Sequence, residues 1–225
     1  EPTTDSEGSK HRECENCGEE LETQPIEKVR DNGVTDGNGE VIVGGYLVTV
    51  SDTDTKAPVV NAAVTLHKDD SLSIRLPGNR LLDYADQTTV TVRLVKDKSA
   101  VSGMSVEVTD RNSNYASGET DEAGQITVPT GGGKTNEEGK VTGGYEDAEG
   151  ERWTLTVKVE HTKTGRPVPD ALVTISKSGY ITVKLPDGLD FDKDHRVTVT
   201  VTDHKKIPWE DMGITVKGDL GQSAI

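Results

Sequence analysis

The chain has 225 residues, with 40 Asp and Glu against 25 Lys and Arg, a formal net charge of −15, and only 31% hydrophobic and 4% aromatic residues. That balance excludes a nucleic-acid groove and a patch for anionic lipid, since both need clustered cations. No run approaches the roughly 18 apolar residues that span a bilayer, so no membrane insertion is expected within this segment.

Reading from the N-terminus, Glu1-Pro2-Thr3-Thr4 lacks the basic, apolar and cleavage regions of a signal peptide, so such a leader is expected to be absent or already removed. The two cysteines of the chain follow, as Cys14-x-x-Cys17. A zinc ribbon needs two such pairs, and this chain has one. Cys14 and Cys17 are the candidate metal ligands, with His11 as a third donor. A local disulfide clasp, free thiols or a redox pair are other readings of the same spacing. The chain stays polar until Gly33, where alternating strands begin. The expected organisation is an N-terminal segment or linker over 1–32, one unit over 33–132 and a second over 133–225.

Beyond Gly33 the apolar residues alternate with period two. Leu72-Ser73-Ile74-Arg75-Leu76, Trp153-Thr154-Leu155-Thr156-Val157-Lys158-Val159 and Ile181-Thr182-Val183-Lys184-Leu185 each put one apolar face against one polar face. That is the pattern of antiparallel sheets with one buried and one wet side. The many Val and Thr residues suit a pleated surface. In the first unit the runs predict strands near 40–43, 46–51, 62–67, 72–76, 88–95, 104–109 and 125–128. About seven short strands in under a hundred residues is the signature of an immunoglobulin-like sandwich, with a small β-barrel as the alternative. The fold class is therefore all-β: tandem immunoglobulin-like antiparallel β-sandwiches.

The sequence also repeats. Pro58-Val59-Val60-Asn61-Ala62-Ala63-Val64-Thr65-Leu66 matches Pro167-Val168-Pro169-Asp170-Ala171-Leu172-Val173-Thr174-Ile175, at an offset of 109 residues. Leu72–Pro77 maps onto Ile181–Pro186 with the same offset, and Met104 pairs with Met212 one residue out of step. A smaller motif, Thr-(Asp/Asn)-x-x-Gly, occurs at Thr35–Gly39, Thr120–Gly124 and Thr135–Gly139. Asp or Asn starts a tight turn and Gly supplies positive φ, so each is read as a hairpin turn. The second unit reaches Ile225 before its own closing hairpin, which predicts a longer array or a last strand supplied elsewhere. Residues 143–152 read as an acidic, Gly-rich loop inserted in the second unit.

Candidate sites are few. Asp52-Thr53-Asp54, Asp36–Glu40 and Asp190–Asp194 offer hard oxygens without EF-hand spacing, and the sequence favours solvated turns at each. The five histidines fall in no catalytic arrangement, and no nucleophile elbow, zincin motif or phosphate loop is present. No enzyme activity and no cofactor are expected. Trp153 alternates with core residues. Trp209 stands in the charged loop Lys205–Glu210, where it is either a binding hot spot or a cap on the second core. With Tyr180 and Tyr145 it makes up the candidate partner-binding set, and Tyr115 is a weaker candidate of the same kind. The second unit is expected to carry any partner, because its aromatic loops have no counterpart in the first.

The segments around Pro58, Pro167, Thr35, Thr120 and Thr135 resemble bacterial immunoglobulin-like repeats of surface proteins, over roughly residues 33–225. Separately, Pro2 to Gly18 followed by Ile26 resembles a short repeat of large surface proteins of Gram-positive gut clostridia. In that repeat a cysteine usually stands where this chain has Thr4, which removes one thiol. Together these resemblances imply a non-enzymatic segment of a secreted or cell-surface protein, a monomer within a longer multidomain chain. Its expected role is that of an adhesin for a host extracellular protein or glycoprotein: a mucin-type glycoprotein, or an immunoglobulin bound in superantigen-like fashion. The alternatives are a carbohydrate-binding accessory module of a polysaccharide-degrading enzyme, which 4% aromatic content disfavours, and a structural spacer.

Overall fold

The computed structural model describes residues 8–13, 20–26, 32–189, 196–203, 205–209, 212–218 and 223–224. The chain is all-β, and no helix occurs among those residues. The strands β1 (Gly8–Glu13) and β2 (Glu20–Ile26) form an antiparallel ribbon of their own. Cys14 and Cys17 fall outside the described residues, as do Asp190–Asp194, His195 and His204.

The first unit holds β3 (Asn32–Val34), β4 (Glu40–Val43), β5 (Tyr46–Asp52), β6 (Ala63–Leu66), β7 (Leu72–Arg75), β8 (Thr88–Leu94), β9 (Ser105–Thr109), β10 (Tyr115–Glu119) and β11 (Gln125–Val128). One sheet runs β10-β9-β7-β6-β3 and the other β11-β8-β5-β4. Between them the inward residues of the alternating runs meet, among them Val48, Val50, Ile74, Val92 and Val106, all but completely buried. Their branched side chains fill the space between two pleated faces, which is the main stabilising term of such a fold.

The second unit repeats the plan with β12 (Gly132–Lys134), β13 (Lys140–Glu146), β14 (Arg152–His161), β15 (Leu172–Ile175), β16 (Ile181–Lys184), β17 (Val197–Asp203), β18 (Ile214–Lys217) and β19 (Ser223–Ala224). Its sheets run β12-β15-β16-β18-β19 and β13-β14-β17 around a second cluster that includes Leu155, Val157, Val159, Val173 and Val183. The order of the larger sheet matches that of the first unit strand for strand. Among the described residues β11 has no counterpart in the second unit. In each unit one pair is parallel, β7 with β9 and β16 with β18, because the chain crosses to the other sheet between them.

Three strands escape the alternation. β3 is three residues long, β12 is Gly132-Gly133-Lys134, and β10 is Tyr-Ala-Ser-Gly-Glu. Small residues on a strand leave no hydrophobic period to read. The supposed acidic loop over 143–152 is a correction of the opposite kind. Gly143–Glu146 and Arg152 pair within a long β13–β14 hairpin, and the turn occupies only Asp147–Glu151. Glycines and acids in a row suggested a loop, but a Cβ on Gly143 would meet the backbone of Gly132 and Thr130, and one on Gly144 the Trp153 carbonyl and the Tyr84 ring, so these two glycines serve close packing within the strand.

The Thr-(Asp/Asn)-x-x-Gly motifs are corners, not hairpins. Each carries the chain from one sheet to the other, from β3 to β4, β10 to β11 and β12 to β13. Asp36, Asp121 and Asn136 accept the two backbone N–H groups that close the turn. The glycines have φ of 73°, 72° and 70°, and an added Cβ would stand about 2.4 Å from a strand carbonyl of Val50, Val92 or Val159. The buried threonines do a third job. Thr35 Oγ1 donates to the Val59 carbonyl at 2.6 Å and accepts the Ala62 N–H at 2.9 Å. Thr120 and Thr135 make the same pair of bonds, to Val101 and Met104 and to Val168 and Ala171. Each threonine thus ties a corner to the irregular segment leading into a neighbouring strand and satisfies two buried backbone groups.

Candidate functional site

The described aromatic residues of the second unit, Tyr145, Trp153, Tyr180 and Trp209, collect at one end of it. Tyr145 on β13 lies opposite Trp153 on β14. The rings of Trp153 and Trp209 meet edge to face with centroids 5.2 Å apart. The Trp153 indole N–H donates to Asp147 Oδ2 at 3.0 Å, and that bond, with the backbone N–H groups of the turn, holds the Asp147 carboxyl below its ordinary range. Gly179, at φ 77°, faces the Tyr145 ring and the Met212 methyl. Tyr180 follows it, 62% exposed, with its ring against Gly213.

The structure therefore gathers Tyr145, Tyr180 and Trp209 at this one end, with Trp153 and Met212 between them. It also gives Trp209 a counterpart. The Trp209 N–H donates to the Val201 carbonyl just as Val101 does to Val92, so Val101 is the equivalent residue, not a small residue near Ala100. Both pack partly buried on their cores. Tyr180 occupies the position of Ser71. In the first unit this end is a cavity of about 420 Å³ whose lining includes Tyr46, Asp69, Asp70 and Val101.

A second surface lies where the units join. Thr154 Oγ1 donates to Asp83 Oδ1 at 2.6 Å and accepts the Tyr84 N–H at 2.8 Å. Thr156 donates to Asn114 Oδ1 at 3.3 Å, and the Tyr115 N–H meets Thr142 Oγ1 at 3.3 Å. Gln87 donates to the Pro129 carbonyl at 2.6 Å. Thr142 is fully buried, and Tyr115 is 7% exposed instead of open to a partner. The Tyr115 hydroxyl donates to Glu107 at 2.9 Å, and its pKa is pushed up to about 12, mainly by burial.

Asp110 shapes the first unit's side of this joint. Its buried carboxylate accepts the N–H groups of Asn112, Asn114 and Leu82 and the Asn114 amide. The joint residues gave little sequence signal. Thr142, Thr154 and Thr156 sit at outward positions of a strand, where threonine ordinarily meets water. The usable clue was the pair Gly143-Gly144 within an alternating run, since glycine in a strand marks close approach of other backbone.

No group of three or more His, Cys, Asp or Glu able to hold a metal ion occurs among the described residues, a set that excludes Cys14 and Cys17. Among the described residues no helix is long and apolar enough to cross a membrane. No protein-family model matches the chain, and comparison with curated proteins finds no significant similarity.

Proposed function

We propose that the chain is a non-enzymatic segment of a bacterial cell-surface protein, in which two immunoglobulin-like sandwiches form a stiff rod that presents a binding surface for a host extracellular protein or glycoprotein. The observation that carries this reading is the joint. Tandem domains on a free linker share few bonds, and relative motion is then the default. Here buried threonines, an aspartate and an asparagine are bonded across the boundary, and a glycine strand threads between the units. A segment selected only to connect would not need that. Spin labels at the exposed positions Lys68 and Lys163, with Cys14 and Cys17 replaced by Ser, test it. A single narrow distance distribution is expected, and a broad one would sink the proposal.

Adhesion by the aromatic end of the second unit is the reading for where a protein partner would sit. It is supported by the exposure of Tyr180 beside Tyr145 and Trp209, since exposed aromatics over a packed base are the usual anchors of protein interfaces. Immobilised segment is exposed to mucin-type glycoproteins and to immunoglobulins. Capture that Tyr180→Ala abolishes supports the reading, and capture indifferent to that change removes it.

A further inference from the structure

We infer that the joint carries a binding site for an anionic sugar, a single pyranose bearing a carboxylate or a sulfate. A cavity of about 220 Å³ opens there, between the 112–114 loop of the first unit and the outer face of β13, β14 and β17 in the second. It goes beyond the rod reading and needs only that the two units sit as described.

The lining is unusual for this chain. The protein as a whole carries a net charge of −15, yet three lysines, Lys140, Lys158 and Lys206, face the cavity and, among the described residues, no carboxylate does. Lys140 is held by Glu138 at 2.8 Å and Lys158 by Glu160, both carboxylates standing outside the lining. Lys206 makes no ion pair among the described residues. The hydroxyls of Thr200 and Thr202 and the side-chain amide of Asn112 also have no hydrogen-bond partner within the described protein. A site with one free ammonium, two supported ones, and free hydroxyl and amide groups is chemically matched to a ring that combines an anionic group with several hydroxyls. The lysine stems and threonine methyls supply an apolar floor for a sugar face.

Size narrows the ligand. Pockets for drug-sized molecules run to roughly 300–1,000 Å³, so this one suits a single ring at the end of a glycan and not a folded peptide or a long polysaccharide. Asn112 comes from the first unit and the lysines from the second, so the site exists only while the joint is closed. The overall negative charge repels anions at long range, so attraction must come from the short-range contacts, and binding should be weak and sensitive to salt.

The test titrates the full chain, followed by NMR, with 3′-sialyllactose, with a 6-sulfated N-acetyllactosamine and with lactose. Saturable binding of one or both anionic sugars and none of lactose is expected, and which of the two binds tells carboxylate from sulfate. Lys206→Glu should weaken that binding by at least about tenfold while leaving the melting temperature unchanged, since Lys206 is exposed. Asn112→Ala should weaken it as well, showing that both units contribute. Equal binding of lactose, failure of both anionic sugars to saturate at millimolar concentration, or an unaltered titration in Lys206→Glu overturns the site. A loose joint would also abolish the site, and the spin-label distances detect that separately: lost binding with a narrow distance distribution overturns the site alone.

Discussion

Gly144 lies against the ring of Tyr84: a Cβ placed on it would stand 2.4 Å from Tyr84 Cγ and 2.3 Å from the Trp153 carbonyl oxygen. One residue from each unit meets there with no room for a single methyl group. Gly144→Ala must therefore push the units apart or distort β13. We expect it to lower the stability of the second unit by about 1–3 kcal/mol and to broaden the distance distribution between the units. Gly78→Ala is the control, because nothing lies within 4 Å of a Cβ there. Identical melting and scattering for the two variants would show that the joint is not tight.

The corner threonines make a second expectation. Thr135→Val keeps size and shape but leaves the Val168 carbonyl without its hydroxyl donor and the Ala171 N–H without its acceptor. Burial of unpaired backbone groups costs about 1–3 kcal/mol. Thr135→Ser keeps both bonds and should lose much less. Urea denaturation of the three proteins decides the matter, and equal midpoints for Val and wild type would mean that solvent reaches the corner.

The outcome for these motifs shows what the sequence can and cannot convey. Strand positions such as Leu72–Arg75 and Ile181–Lys184 were legible because their apolar faces alternate. The repeat was legible because equivalent core positions need equivalent side chains. The turn role of Asp36 and Gly39 followed from local chemistry alone. The role of Thr35 did not, because its partners, Val59 and Ala62, are distant in sequence. The clue was that a turn already served by Asp or Asn and Gly has no use for the Thr that precedes it in all three motifs, Thr35, Thr120 and Thr135. The joint was hidden for the same reason: whether Thr154 meets water or Asp83 depends on where the other unit sits.

Asp52 makes the clearest acid-sensitive contribution. Its carboxylate accepts the Thr55 N–H and hydroxyl, both at 2.8 Å, and pairs with Arg80 at 2.8 Å. The Thr55 backbone bond first, then Arg80, hold it well below the usual carboxylate range. A depressed folded pKa means that the stabilisation is fully present above the unfolded value of about 3.9 and is lost as pH falls towards the folded one. Asp52→Asn should therefore cost the first unit about 1–2 kcal/mol at neutral pH, with the gap to wild type closing progressively below about pH 4. A gap that stays constant down to pH 2 would assign the stabilisation to something other than the charge.

Trp209 sits where the first unit has Val101, and this equivalence separates its two possible duties. Its ring contacts the core of the second unit and the edge of Trp153. Removing a partly buried Trp takes away both hydrophobic contact and an aromatic pair, so Trp209→Ala should destabilise the second unit by about 2–3 kcal/mol. Trp209→Val restores the aliphatic contact that the equivalent position uses in the first unit, so it should recover part of that loss. In both variants the Trp153 emission should shift to the red, as its ring loses a neighbour and gains water. Tyr180→Ala removes a side chain that is mostly exposed and should leave stability within about 0.5 kcal/mol of wild type. Capture of a protein partner should then fail in Tyr180→Ala at full stability, and fail in Trp209→Ala together with a lower melting point. If Trp209→Ala melts like wild type and Tyr180→Ala does not, the assignment of the first to the core and the second to the surface is reversed.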